Sequence, residues 1–166
     1  MALTSTQISA LKAAILADPV LAAQPMDGDG NGAIADAFNA LAAPAFYVWR
    51  TSVSRVDIYN GTPQPEGSSW SWTFYKNQSV TEQNAWVQMF MGDQADFSRA
   101  NVRDGVTRIF TAASSANATH ALAVARRQAT RAEKLLASGT GSTAAPAVMS
   151  FEGSISSGDV DAARHR

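Results

Sequence analysis

Four residues between positions 27 and 32 have the types and spacing that open a calcium-binding loop. Asp27, Asp29 and Asn31 place side-chain oxygens at alternate positions, and Gly32 follows where such a loop turns sharply. Calcium is bound by oxygen ligands spaced in this way, with glycine allowing the turn. The pattern therefore indicates a weak candidate metal site made of Asp27, Asp29 and Asn31 together with the nearby Asp36.

The residue that should close this loop is missing. The loop needs a bidentate carboxylate at its last position, where this chain has Phe38, and Asp36 comes two residues earlier. A glycine- and aspartate-rich turn in which Asn31 caps the following helix explains the same residues better. We therefore expect a structural turn here and assign the chain no metal and no cofactor.

Catalytic chemistry has little support in the sequence. A nucleophilic triad needs a positioned imidazole, and the chain has only His120 and His165. Neither histidine lies beside a Gly-x-Ser-x-Gly motif, and the absence of cysteine excludes thiolate chemistry and cysteine-based zinc sites. The acidic pair Asp159 and Asp161 lies near the chain end. We predict that the protein is not an enzyme.

Basic side chains are concentrated in one part of the chain. Residues 99–134 contain seven basic and two acidic residues, whereas residues 1–98 contain four basic and nine acidic ones. Spacing of four residues places two side chains on one helix face, which predicts that the basic side chains form stripes. Such stripes contact DNA phosphates or a neighbouring subunit, or they pair with acidic segments of the same chain. The candidates are Arg99, Arg103, Arg127, Arg131 and Lys134.

The elements that must position these residues are predicted to be mainly helical. Thr4 and Gln7 have the spacing of a capping box before the first helix, and Ser79 and Glu82 repeat it before a later one. A long helix is expected from about Asn117 to Ser138, where small residues follow a spacing of three and four that allows close helix contact. The fold class predicted is a small helical bundle.

Two segments interrupt this bundle. Trp70, Trp72 and Phe74 alternate with Ser71, Thr73 and Tyr75, so the irregular insertion at about 60–78 is compatible with a short strand or β-hairpin, or with a half-buried excursion of the chain. The Gly-Ser-Thr-Ala stretch 139–147 is typical of a linker. We therefore expect a helical domain over 1–138 and a flexible or partner-docked arm over 139–166. The arm would dock through three apolar residues: Val148, Phe151 and Ile155.

The composition points to assembly and away from membranes. Charged residues make up 16% of the chain, below the usual quarter, so much of the surface is uncharged, which fits either a surface that other subunits cover or a merely alanine-rich soluble protein. No apolar run approaches the length that spans a bilayer, and the first residues do not have the pattern of a secretory signal. We expect synthesis in the cytoplasm and no membrane partner.

Three segments lie in a specific order along the chain. They are Leu11–Pro19 with Asp29–Asn39, then Val48–Thr51, then Ala132–Gly141 with 151–156 and 159–160. Together they resemble a family of small proteins encoded among the structural genes of tailed bacteriophages. The resemblance covers about half of the chain, mostly its two ends, and residues of roughly 60–115 do not contribute to it.

This resemblance implies a structural virion protein similar to the head–tail connector, or adaptor, proteins. Such proteins form a ring under the portal, line the DNA channel and grip the portal with a terminal arm. The implied partners are identical subunits in a ring, the phage portal and tail proteins, and packaged DNA in non-specific contact. The implied location is the virion, after synthesis in the host cytoplasm. A tail-completion or minor capsid protein remains an alternative, as does a small calcium-binding module.

Overall fold

The computed structural model describes residues 3–63 and 67–165. Helices account for 54% of the chain and the sheets are short and two-stranded, so the predicted mainly α class is confirmed. The α-helices are α1 (Ser5–Ala17), α2 (Pro19–Ala22), α3 (Gly28–Asn39), α4 (Arg55–Asn60), α5 (Trp72–Lys76), α6 (Val80–Met89), α7 (Ala100–Ile109), α8 (Ser115–Val124), α9 (Arg131–Leu135) and α10 (Ser157–Arg164).

The described residues also contain a 3-10 turn, Ala112–Ser114, and six short strands. They are β1 (Tyr47–Trp49), β2 (Val53–Ser54), β3 (Gln94–Ala95), β4 (Arg126–Gln128), β5 (Ala137–Ser138) and β6 (Val148–Met149). The three sheets are β1–β4, β2–β3 and β5–β6. The chain forms two compact units, of which unit 1 is Met1–Val48 with Gln128–Arg166 and unit 2 is Trp49–Arg127.

Unit 1 is a cluster of helices from both ends of the chain. Helix α10 packs against α1 and α3, and α9 packs against the same two helices. Its core contains large aliphatic and aromatic side chains that are almost completely buried: Leu11, Ile15, Ile34, Phe38, Phe151, Ile155 and Val160. The β5–β6 hairpin joins α9 to the last segment, with Ala137 opposite Met149 and Ser138 opposite Val148.

Unit 2 is built around aromatic side chains. Trp86 is fully buried and packs against Trp70, Phe90 and Phe110, with ring centroids between 4.9 and 5.3 Å apart. The supporting helices are α4, α6, α7 and α8. Buried aromatic contacts of this kind add to the burial of apolar surface, so this cluster is the main stabilising feature of unit 2.

Local capping signals are confirmed where they were predicted. The Thr4 hydroxyl accepts from the Gln7 amide while the Gln7 side chain accepts from the Thr4 amide at 2.9 Å. Ser79 and Glu82 make the same reciprocal pair before α6. Such caps satisfy amides that the first helical turn leaves without partners, so the sequence locates these helix starts reliably.

The predicted long helix over 117–138 is wrong. Helix α8 ends at Val124, strand β4 follows, and α9 begins at Arg131. The Thr130 hydroxyl accepts from the Glu133 amide and the Glu133 carboxylate accepts from the Thr130 amide, so a new helix starts here. The intervening backbone pairs with other strands instead of continuing the helix.

The predicted strand at the tryptophans is also wrong. Residues Trp72–Lys76 form α5, and the Ser71 hydroxyl caps it by accepting from the Phe74 amide. The period-two pattern has a different cause, since Trp70 is buried in the aromatic cluster while Trp72 is about half exposed. Part of the predicted insertion, residues 64–66, lies outside the described residues.

The division into a 1–138 domain and a 139–166 arm differs from the structure. Phe151 and Ile155 are buried in the core of unit 1, and α10 packs on α1 and α3. The stretch 139–147 is held by specific contacts, because the Tyr47 amide donates to the carbonyl of Gly141 at 2.7 Å. A side chain at Gly141 would collide with the Phe46 ring. The segment therefore belongs to the folded core of unit 1.

Candidate functional site

An open groove in unit 1 contains two of the predicted basic residues. Its walls come from α1, α3, the turn after α3, and α9, and its volume is about 190 Å³. Most of the lining is apolar, with Phe38 as its largest aromatic side chain, and the charged groups are Arg131 and Lys134. We call this feature the cationic groove; its lining residues are Ala14, Phe38, Ala42, Ala43, Arg131, Lys134 and Leu135.

Arg131 is held in place by contacts within unit 1. Its Nη2 donates to Oδ2 of Asp18 at 2.7 Å, and its guanidinium carbon lies 5.0 Å from the centre of the Phe38 ring. Asp18 also caps α2 by accepting from the amides of Val20 and Leu21. The hydrogen bond from Arg131 and the hydrogen bonds from these two backbone amides hold the pKa of Asp18 below its usual value. Together they outweigh burial, which acts in the opposite direction.

Lys134 differs from Arg131 in its partners. Its Nζ lies 5.7 Å from the centre of the Phe46 ring, a cation–π contact. Within the described residues no carboxylate lies within ion-pair distance of this ammonium group. Lys134 is therefore the groove cation that can pair with a negatively charged ligand. The arrangement can bind an apolar group that carries a negative charge beside it.

The other predicted basic residues hold the chain's own loops. Arg103 donates through Nη1 to the carbonyls of Phe97 and Ser98, at 2.6 and 2.7 Å, and its guanidinium carbon lies 4.8 Å from the centre of the Trp49 ring. Arg99 pairs with Asp96 at 3.0 Å. Arg103 therefore fixes the turn before α7, and only the Arg99 side chain is largely exposed.

Arg127 and Arg131 do not form the predicted pair on one helix face. Arg127 lies in β4 and Arg131 in α9, because the helix that would have aligned them is interrupted. The basic stretch is thus spread over several elements. This observation favours the interpretation in which these charges meet acidic and carbonyl groups of the same chain.

The three apolar residues predicted to dock a partner have roles within their own unit. Val148 lies in β6 opposite Ser138, and Phe151 and Ile155 are buried in the core. The Ile155 amide donates to Oδ1 of Asn39 at 2.9 Å, and the Asn39 side chain donates back to the Ile155 carbonyl. These contacts attach the segment to α3.

The calcium-loop residues are folded into a helix. Asp27 is the N-cap of α3, accepting from the Gly30 amide at 2.8 Å, and Asp29, Asn31 and Asp36 lie within α3. Asn31, predicted to cap this helix, is one turn inside it and buried. A calcium loop requires its ligands to wrap around an ion, and the helical backbone does not bring these four side chains together.

Sequence reasoning missed the network around Asn31. Its amide donates to Oδ1 of Asp161 at 3.1 Å, and its carbonyl oxygen accepts from Nη1 of Arg164 at 2.9 Å. Arg164 also donates to the backbone carbonyls of Pro25 and Gln24, both at 2.6 Å. The partners are at least 130 residues apart in the chain, so no local pattern reveals the network.

A second buried polar cluster lies in unit 2 and also has no local sequence signal. His120 is fully buried, and its Nε2 donates to the Ile58 carbonyl at 2.7 Å, so Nδ1 accepts from the Ser68 hydroxyl at 3.0 Å. Asn117 is also buried and exchanges two hydrogen bonds with the backbone of Ser71. Both side chains fix the segment that carries the tryptophans.

Residues 3–63 and 67–165 contain neither a cluster suited to a metal ion nor a helix suited to a bilayer. No group of three or more histidine, cysteine, aspartate or glutamate side chains in these residues is arranged to hold a metal ion. No helix in the same residues combines the length and the apolar character needed to cross a bilayer. No protein-family model, no curated protein and no solved structure matches the chain.

Proposed function

We propose that this chain is a structural protein of a tailed-bacteriophage virion, and that its position is the head–tail connector ring that binds the portal. The assignment to a virion is based on the three sequence segments that resemble a family of phage structural proteins. The similarity to connector proteins is the basis for proposing a ring, a contact with the portal and proximity to packaged DNA. The function is assembly, performed by surfaces and not by a reactive site.

The observation that carries the proposal is the number of large apolar side chains left exposed on both units. In unit 1 they include Leu16, Val20 and Met26, and in unit 2 they include Val80 and Met91, each more than half exposed. Apolar side chains that remain in water mark surfaces for protein contact when they lie close together, as Leu16 and Met26 do where they line one pocket of unit 1. The low fraction of charged residues agrees with a surface that subunits cover.

The structure changes how a connector built from this chain would grip its partner. The segment 139–166 is part of the core of unit 1, so it would not be available as a free arm without loss of core packing. Contacts with the portal would instead be made by surfaces of the folded units. Exposed apolar side chains such as Leu16, Val20 and Met26 are available for them.

Native mass spectrometry of the protein alone, and mixed with the portal protein of the same phage, tests the proposal. We expect a ring-sized complex that contains both proteins. A chain that remains monomeric in the presence of portal would contradict the connector assignment. A matched control is an unrelated helical protein of similar mass mixed with portal, which should yield no complex.

A further inference from the structure

The cationic groove of unit 1 has the chemistry to bind a side chain that is apolar and lies next to a carboxylate. Its floor is formed by Phe38, Leu135 and alanine methyl groups, so an apolar side chain that enters it leaves water. Arg131 is already paired with Asp18. Lys134 has the Phe46 ring as its contact and lacks a carboxylate among residues 3–63 and 67–165. The occupant should therefore bring one negative charge.

A turn in unit 2 presents an apolar side chain and a carboxylate close together in the sequence. Met91 is 75% exposed, the largest fraction among the exposed large apolar side chains of the described residues. Asp93 lies two residues later and is also exposed, and within the described part of the chain its carboxylate has no basic partner. Both residues follow α6 directly.

The turn is held in a defined shape by its backbone. The Met91 amide donates to the Gln88 carbonyl at 3.1 Å, and the Asp93 amide donates to the Phe90 carbonyl at 2.9 Å. The buried Phe90 ring anchors the turn in the core of unit 2. Asp93 has a φ of 70°, a left-handed conformation that aspartate tolerates better than most residues. An ordered turn loses less entropy on binding than a flexible one.

We infer that the Met91–Asp93 turn of one copy binds in the cationic groove of a second copy. Met91 would fill the apolar floor, since its unbranched side chain adapts to irregular gaps, and Asp93 would pair with Lys134. The turn and the groove are different surfaces, so a single contact is head-to-tail and leaves a free turn and a free groove for further copies. This inference rests on the proposed function and specifies how its subunits join.

Charge complementarity favours a second copy over nucleic acid as the occupant. Phosphate backbones are bound by several cations that are free to pair with successive phosphates. The groove offers Lys134, whereas Arg131 is committed to Asp18, and the floor is apolar. A protein turn that carries methionine and aspartate matches both features.

Two single variants and their mixture test the head-to-tail contact. Met91→Lys places a cation against the cations of the groove, and Lys134→Glu places a carboxylate against Asp93. Like charges brought together at an interface oppose binding strongly, so we expect each variant alone to self-associate at least about tenfold more weakly than the original chain, a change of about 1.4 kcal/mol. The matched controls are Asn84→Lys, at an exposed polar residue of α6 in unit 2, and Lys76→Glu, at an exposed lysine.

The decisive measurement is the mass of an equal mixture of the two variants by sedimentation velocity, with circular dichroism confirming that each is folded. The Met91→Lys chain keeps an intact groove and the Lys134→Glu chain keeps an intact turn, so we expect the mixture to regain the association that each variant alone has lost. The inference is overturned if the mixture stays monomeric, if either variant associates like the original chain, or if the controls lose association equally. Binding to portal is measured separately, so a failed groove contact is distinguished from a failed connector assignment.

Discussion

Truncation of Phe151 to alanine tests whether the last segment of the chain belongs to the core of unit 1. The Phe151 side chain is 6% exposed and packs in the same core as Leu11, Ile34 and Val160. Removing a buried phenylalanine side chain costs about 3–5 kcal/mol, from lost burial and from the cavity that remains. That cost is a large part of the total stability of a domain, which is about 5–15 kcal/mol.

Urea unfolding followed by circular dichroism measures this effect. For a slope of about 1–3 kcal/mol per molar urea, the unfolding midpoint should fall by at least about 1 M. Tryptophan fluorescence recorded in the same samples reports on unit 2, because all four tryptophans lie in Trp49–Arg127. The circular dichroism transition should therefore shift, whether or not the fluorescence transition moves with it.

Leu16→Ala is the matched control, since Leu16 is an apolar residue of unit 1 that is 66% exposed. Its substitution should change stability by no more than about 0.5 kcal/mol. If Phe151→Ala unfolds at the same urea concentration as Leu16→Ala, the segment 139–166 does not contribute to the core. The reasoning about its packing would then be refuted, and a detached arm would account for the result.

Three further predictions concern single polar side chains. Asp18→Asn should reduce the loss of stability in acid, measured by urea unfolding at several pH values. The folded pKa of Asp18 is lowered chiefly by its hydrogen bond with Arg131. The Asp18–Arg131 pair therefore contributes its full stabilisation above the unfolded pKa of about 4, and this stabilisation is lost as the pH falls through the folded pKa. Asn117→Ala should cost about 1–3 kcal/mol by leaving the buried backbone groups of Ser71 without partners, while the exposed Asn101→Ala should cost far less. Asp27→Ala should lower the free energy of unfolding by about 0.5–2 kcal/mol through loss of the α3 cap. Calcium should leave the thermal midpoint of the original chain unchanged, and a rise with calcium would contradict the helical assignment of these residues.

Features that depend on neighbours in the sequence could be predicted. The Thr4–Gln7 and Ser79–Glu82 capping boxes place hydrogen-bonding partners within one turn, so their residues identify the start of α1 and α6 without tertiary information. The mainly α class follows from the same signals. These predictions succeed because local hydrogen bonds decide them.

The helix predicted over 117–138 failed because small residues at helical spacing are compatible with more than one structure. Tertiary strand pairing overrides helix propensity in β4. A local signal for the break does exist, since Thr130 and Glu133 have capping-box spacing. Giving that signal more weight than the alanine pattern would have placed the start of α9 correctly.

The interior contacts of the last segment could not be predicted from the sequence. A glycine- and serine-rich stretch is typical of a linker, yet here Gly141 lies against Phe46 and the following residues enter the core. The groove is equally hidden, because Phe38 and Lys134 are far apart in sequence and meet only through the packing of α3 and α9. The basic residues were identified, but their intramolecular partners depend on the fold.

The proposal assigns this chain to a tailed phage, and quantitative mass spectrometry of purified virions of that phage tests this central claim most directly. The account predicts that peptides of this chain remain with particles purified by density-gradient centrifugation, in a fixed ratio to the portal protein. Antibody labelling in the electron microscope should place them at the head–tail junction. Absence of the chain from purified particles, with its full amount recovered in the soluble lysate, would contradict a structural role in the virion.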